Sequence, residues 1–276
     1  MSKQKKIACI NDISGLGKCS LTVAIPIISA LKCQCCPLPT SVLSSQTGYP
    51  KFSFVDLTDS IEEYIDIWQE LRANFDTIYS GFLGSSRQIK LVENLIKNNP
   101  DSFVIVDPVL ADNGKMFPIF TDEDVVEMRE LVTMADLITP NITEANLLSG
   151  RKIDNFDYKE GDLLELCRDL SKTGPSYVII TGFEEKDSIY NICYDRRQDS
   201  ISKIGVPFNR VSFSGTGDIF TSIVSALITR GFELEKCVSA AVDFIYKSVN
   251  YTVESGDFDR NDGILFEYFL DNLTQI

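Results

Sequence analysis

The chain has 276 residues, 44% of them hydrophobic, and carries 26 Lys and Arg against 40 Asp and Glu for a formal net charge of −14. Length and apolar content suffice for a large buried core, so a single domain over residues 1–276 is expected. The acidic surface repels nucleic-acid backbones and anionic lipid, and neither is an expected partner, whereas a nucleotide can still be held by local cations, backbone N–H groups and Mg²⁺.

From the start of the chain, Lys6 to Asn11 is an apolar run and predicts a strand. It breaks at Asn11 and Asp12, too soon for a leader or a membrane span, so a cytoplasmic protein is expected. A Gly-containing turn (Ser14 to Gly17) then leads into helical spacing at Leu21, Ala24, Ile25, Ile28 and Leu31. Cys33 and Cys36 form a CxxC pair, but there is no second pair and no histidine to complete a zinc site. The eight cysteines are therefore expected as reduced thiols, those of the pair buried beside a strand. Phe52 to Leu57 is a β-rich stretch suited to a flap. Further on, helix and strand alternate: Glu62 to Ala73 before Thr77 to Ser80, Gln88 to Lys97 before Ser102 to Asp107, Asp122 to Met134 before Leu137 to Thr139, and Gly161 to Lys172 before Tyr177 to Thr181. A hairpin over Asp187 to Asp195 and Ile201 to Val206 suits a sheet edge, and helical spacing returns in Asp218 to Thr229, Leu234 to Val253 and Ile264 to Leu273. The pattern predicts a three-layer α/β/α architecture around a mostly parallel central sheet.

Ligands of such sheets bind at the carboxyl ends of the strands. The polar residues there are Asn11-Asp12, Ser80-Gly81, Asp107-Pro108, Thr139-Pro140-Asn141 and Thr181-Gly182. Gly215-Thr216-Gly217-Asp218 opens a helix: its N–H groups can cradle a phosphate and Asp218 can take a proton, or the glycines can simply shape the turn with the aspartate complementing the helix dipole. Ser14 to Ser20 fits neither phosphate-loop nor dinucleotide spacing, since Asp12, Cys19 and Ser20 stand where the motifs need other residues. It either shapes a substrate pocket with Asp12 as a polar anchor or is an ordinary βα turn. Asp107 and Glu144 could hold Mg²⁺ through water. Glu144 also suits a capping box with Asn141, and both roles can hold together.

Asn11-Asp-Ile-Ser-Gly-Leu-Gly17, Ser80-Gly-Phe-Leu-Gly84, Val106-Asp-Pro-Val109, Ile138-Thr-Pro-Asn-Ile-Thr-Glu144 and Ser214-Gly-Thr-Gly-Asp218 together resemble the pyridoxal kinase branch of the ribokinase-like superfamily, nearly end to end. The resemblance implies ATP-dependent phosphorylation of the 5′-hydroxyl of pyridoxal, pyridoxine or pyridoxamine, with Mg²⁺ and commonly a monovalent cation such as K⁺. It implies that Asp218 is the base and that Gly215, Thr216 and Gly217 form the anion hole. Asp107 and Glu144 match the Mg-ATP region, Thr139 and Thr181 the nucleotide contacts, and Pro207 to Phe213, with Phe208 and Val211, a loop over ATP. Thr47 and Gly48 match the segment covering the ring, and Asp12 stands where these kinases usually carry Ser, which suggests a preference for the aminomethyl group of pyridoxamine or a protonated ring nitrogen. Thr181 replaces the Lys of some members. Relatives are usually homodimers, and the short chain suggests a lidless form with Ser44 to Phe54 as flap. The alternatives are a hydroxymethylpyrimidine kinase, whose Thr-Pro-Asn block and Gly-rich turn are similar, and a non-catalytic vitamer-binding protein on the same scaffold.

Overall fold

The computed structural model of the chain describes residues 3–172, 174–256 and 258–276. It divides into two units, Met1–Gly81 with Asn209–Ile276, and Phe82–Phe208.

In the first unit, β1 (Lys6–Ser14) buries Ile7 to Ile10 completely. Each large aliphatic side chain so buried contributes about 1.5–3 kcal/mol. Helix α1 (Ser20–Ala30) packs on β1 and on β2 (Gln34–Leu43), which runs parallel to β1. Strand β2 is not evident from the sequence because Pro37 and Pro39 interrupt it. The structure explains their tolerance: β3 (Phe54–Asp56) pairs antiparallel with Ser41 to Leu43 only, so at the two prolines β2 has no further strand beside it among the described residues. Missing N–H groups on that side cost no ladder bond. Cys33 is buried and Cys36 half-buried, and all eight cysteines are free. Helix α2 (Thr58–Glu70) and β4 (Thr77–Ser80) follow, β4 pairing parallel with β1, which gives the order β4-β1-β2-β3.

The second unit starts with α3 (Ser86–Lys97), capped by Ser85, and β5 (Phe103–Val106). A small hairpin of β6 (Ala111–Asp112) and β7 (Lys115–Met116) precedes α4 (Asp122–Thr133), whose N-terminus is fixed by a Thr121/Asp124 capping box. Next come β8 (Leu137–Ile138), α5 (Ile142–Ser149), α6 (Glu160–Ser171) and the strands β9 (Tyr177–Glu185), β10 (Ser188–Asp195) and β11 (Ser200–Pro207). Strands β5, β8 and β9 are parallel, and β9-β10-β11 is an antiparallel meander, so the order is β11-β10-β9-β8-β5.

The chain then returns to the first unit through α7 (Thr216–Thr229), which packs on β1, β4 and α1, and α8 (Leu234–Glu254). The continuous helix expected over Ile264 to Leu273 is instead a 3-10 turn (Phe266–Phe269) followed by α9 (Leu270–Thr274). Leu265, at ψ 58°, departs from helical geometry, while Phe266 and Leu273 still reach the core. Among the described residues no helix is long and apolar enough to cross a membrane.

Candidate active site

Helix α7 begins at Gly215, whose φ of +79° lies in the left-handed region. A Cβ there would stand 1.8 Å from the Lys18 carbonyl oxygen, so the turn lies against the β1–α1 loop only because the residue is glycine. Its N-cap, a glycine, makes no side-chain capping bond, which leaves the first-turn N–H groups available to an anion. At Gly217 a Cβ would meet nothing within 4 Å, so the space over the turn is open.

Asp218 sits in that first turn, half-buried. Asn11 Nδ2 donates to Asp218 Oδ1 at 3.0 Å, and the Ser20 backbone N–H donates to the same carboxylate. Asn11 is fully buried and fits because Gly81 has no side chain: a Cβ on Gly81 would be 2.3 Å from Asn11 Nδ2. Burial pushes the Asp218 carboxyl up to about 6 and the charge of Asp12 adds to this, while the Ser20 and Asn11 hydrogen bonds oppose it. A carboxyl of that pKa is largely ionised at neutral pH yet basic enough to serve as a proton acceptor.

Asp12 is 6% exposed and lies where the β1–β2 register shifts. Its Oδ1 accepts from Ser20 Oγ at 2.5 Å and its Oδ2 from Ser14 Oγ at 2.8 Å, while burial raises its pKa. Ser20 holds a φ of +52°, a conformation that costs a non-glycine residue about 1–3 kcal/mol. Its hydroxyl bond to Asp12 and its N–H bond to Asp218 keep it there. Lys18 does not face the turn: its Nζ donates to the Ile264 carbonyl at 3.1 Å and to Glu267 at 3.0 Å.

Thr47 and Gly48 are exposed, in a segment fastened by Gln46. The Gln46 amide Nε2 donates to Ser214 Oγ at 3.2 Å and to the Asn261 carbonyl at 3.2 Å, and its Oε1 accepts from the Gly48 N–H at 2.7 Å. Tyr49 donates to Asp262. Asn11, in its contact with the base, Ser20 and Gln46 are the residues that sequence reasoning missed. An asparagine closing an apolar strand was the available signal for the first, and nothing local marks the other two.

In the second unit, Asp107 (8% exposed) directly follows β5 and Glu144 (5%) lies in the first turn of α5 after β8, near enough that the charge of Asp107 acts on Glu144. Glu144 Oε1 accepts from the N–H groups of Leu110 (3.1 Å) and Ala111 (3.4 Å), and its Oε2 from that of Asn141 (2.9 Å). Asn141 Oδ1 accepts in return from the Glu144 N–H at 3.0 Å, which completes the capping box at the start of α5. Burial pushes Glu144 well above the usual carboxylate range and the Asp107 charge pushes further, against the three N–H groups. Thr139 is buried, its N–H donating to the Val106 carbonyl at 3.1 Å, and the Thr181 N–H donates to the Pro140 carbonyl at 2.9 Å. Phe208 closes this unit, half-buried, with its N–H on the Asp187 carbonyl. Val211, beyond the unit boundary, is half-buried and its N–H donates to Asn209 Oδ1 at 3.1 Å.

A carboxylate one turn into an uncapped, glycine-started helix, on a mostly parallel α/β sheet, is the arrangement of a small-molecule kinase with the ribokinase-like fold. The family model described as phosphomethylpyrimidine kinase matches residues 25–261. A crystal structure of a Bacteroides thetaiotaomicron protein, provisionally assigned as a phosphomethylpyrimidine kinase and crystallised with pyridoxal, is 43% identical with a TM-score of 0.94, covering 98% of this chain and 96% of that one. Pyridoxal kinase from Lactobacillus plantarum is 27% identical with a TM-score of 0.91, covering 99% and 98%. A Schizosaccharomyces pombe protein provisionally named a pyridoxal kinase is 30% identical over 233 residues, 79% of this chain and 72% of its own. The chain belongs to the phosphomethylpyrimidine kinase family, and within the ribokinase-like superfamily its likeness runs to pyridoxal kinases.

Proposed function

We propose that this protein transfers the γ-phosphate of ATP to the 5′-hydroxymethyl group of pyridoxal, pyridoxine or pyridoxamine, giving the 5′-phosphate and ADP. The observation that carries the reading is the Asp218 carboxyl, raised to about 6 and held by Asn11 and Ser20 at an open helix start. The names of the similar proteins support the vitamer as substrate.

In this reaction the hydroxymethyl oxygen attacks the γ-phosphorus, its proton passes to Asp218, and the bond to the leaving ADP oxygen breaks. The N–H groups of Gly215, Thr216 and Gly217 meet the charge on the phosphoryl oxygens, so the acceleration comes from positioning and fixed dipoles. Thr47, Gly48, Asp12 and Asp218 are assigned to the vitamer side. Thr139, Thr181, Phe208, Val211, Asp107 and Glu144 are assigned to ATP.

Asp107 and Glu144 fit a divalent cation: two carboxyls share a buried setting in which the charge of one disfavours ionisation of the other, a conflict that a cation relieves. Mg²⁺ bound there, through water at Glu144, would supply charge neutralisation to the phosphates. Dependence on a monovalent cation such as K⁺, assembly as a homodimer and a lidless, single kinase domain belong to the same proposal, the last supported by a family match that takes in parts of both units. A reducing, cytoplasmic setting is proposed from eight free thiols.

The test is ADP release with ATP and Mg²⁺ against the three vitamers, hydroxymethylpyrimidine and ribose, with Asp218→Asn as control. Turnover on vitamers, lost in the variant, is expected. The family description keeps a second reading in view, a hydroxymethylpyrimidine kinase, and clear preference for the pyrimidine would replace the first reading with it.

A further inference from the structure

Asp12, a proposed substrate residue, has its polar atoms already engaged by its own chain. Both of its carboxylate oxygens accept hydroxyl hydrogen bonds, from Ser20 at 2.5 Å and Ser14 at 2.8 Å, and its own N–H donates to Asn11 Oδ1 at 3.0 Å. The same two neighbours, Asn11 and Ser20, are those that donate to Asp218. Asp12 thus holds the far side of each group that holds the base: it accepts from the Ser20 hydroxyl while the Ser20 N–H reaches Asp218, and it occupies Asn11 Oδ1 so that Asn11 must present Nδ2 to Asp218.

We infer that Asp12 is a positioning residue for the catalytic base, acting on Asp218 through Ser20 and its own charge, and that it does not select the vitamer by contact with the ring. The inference rests on Asp218 being the base of the proposed kinase. Because the base serves every acceptor alike, a change at Asp12 alters turnover of all three vitamers in proportion.

The charges around Asp218 make the sign definite. From β1 it faces Asp12, whose negative charge raises its pKa, and the Cys9 thiol; from the segment before α1 it faces the Cys19 thiol. Burial keeps both thiols neutral at physiological pH, Cys19 being pushed up to about 12, so Asp12 is the charged neighbour that adds to burial in raising Asp218. Removing that charge while keeping the shape stabilises ionised Asp218 and carries its titration to lower pH. The two carboxyls titrate as a linked pair, and the shift is read on the pair as well as on the site.

The experiment is Asp12→Asn, with Asp12→Ser as a second variant that restores the residue usual in the resembled kinases. The Asp218 carboxyl is titrated by carbon NMR in aspartate-labelled protein without ligands, its signal assigned by its loss in Asp218→Asn. In parallel, kcat and KM are measured for pyridoxal, pyridoxine and pyridoxamine across pH. The expected result is a fall of roughly half a pH unit or more in the Asp218 midpoint, the same displacement of the acid limb of kcat, and ratios of kcat/KM among the vitamers unchanged within about twofold. An unmoved midpoint overturns the inference, and so does a change of about tenfold or more in preference for one vitamer, which would return Asp12 to the ring. If the unaltered protein turns over no vitamer, the proposed function fails by itself, while the NMR titration still decides whether Asp12 governs Asp218.

Discussion

The two units build their carboxylates in opposite ways. In the first, Asp218 depends on partners far away in sequence: Asn11 is 207 residues earlier, and the turn before it rests on the Lys18 carbonyl. In the second, Glu144 is tied to Asn141 three residues away and to a loop thirty-odd residues earlier, and two of these bonds are the reciprocal pair of a capping box. Both carboxyls are raised by burial, but Asp218 lies in the half proposed to move a proton, and Glu144 in the half proposed to hold ATP, where it also secures a helix. A perturbed carboxyl is therefore not by itself a base, and the partners around it tell the two apart.

The largest effect that tests this contrast is loss of the base. Asp218→Asn should lower kcat by ~10² to 10⁴ while vitamer KM changes little, and retention of more than about a tenth of kcat would remove Asp218 from its role. In the unaltered enzyme kcat should fall as pH drops through about 6, because Asp218 must be ionised to accept the proton.

The turn itself gives the next effect. Gly215→Ala meets both a φ of +79° and the Lys18 carbonyl, and should cost about 1–3 kcal/mol or more in urea denaturation together with activity. Gly217→Ala meets open space and should leave Tm nearly unchanged, yet raise the KM for ATP by placing a methyl over the cradle. Equal thermal losses in the two variants would mean that Gly217 serves the fold.

Glu144→Gln should separate the second unit's carboxyl from the first. A buried acid whose folded pKa is raised loses stability as pH rises from its unfolded value towards its folded one, so a neutral amide gains on it with increasing pH. The Tm of the variant relative to the unaltered protein should therefore be higher at pH ~8 than at pH ~5, while more Mg²⁺ is needed for half-maximal rate. A relative Tm independent of pH would mean that Glu144 is not held in its raised state.

The smallest effect is local. Asn141→Ala removes the cap of α5 and should cost about 1 kcal/mol by urea denaturation. Its effect on kcat should be far smaller than that of Asn11→Ala, which strips a hydrogen bond from Asp218, the proposed base.

Sequence periodicity made the alternation of strands and helices legible because buried faces repeat at two or at three to four residues. The glycine-opened start of α7 and the Asn141/Glu144 capping box were legible for the same reason: their donors and acceptors lie within one turn of chain. Strand β2 was hidden because Pro37 and Pro39 sit where no strand lies beyond them among the described residues, and the broken helix after Ile264 because apolar spacing does not record the non-helical ψ at Leu265. The sequence by itself thus determined the α/β class and marked the glycine-opened turn and Asp218 as the proposed phosphate cradle and base. Only the tertiary structure decided that Asn11 and Ser20 hold that base, that Gly81 exists to make room for Asn11, and that Asp12 faces its own chain. Such pairings join residues separated by tens to hundreds of positions, and no local period records which of them the closed fold brings within a hydrogen bond.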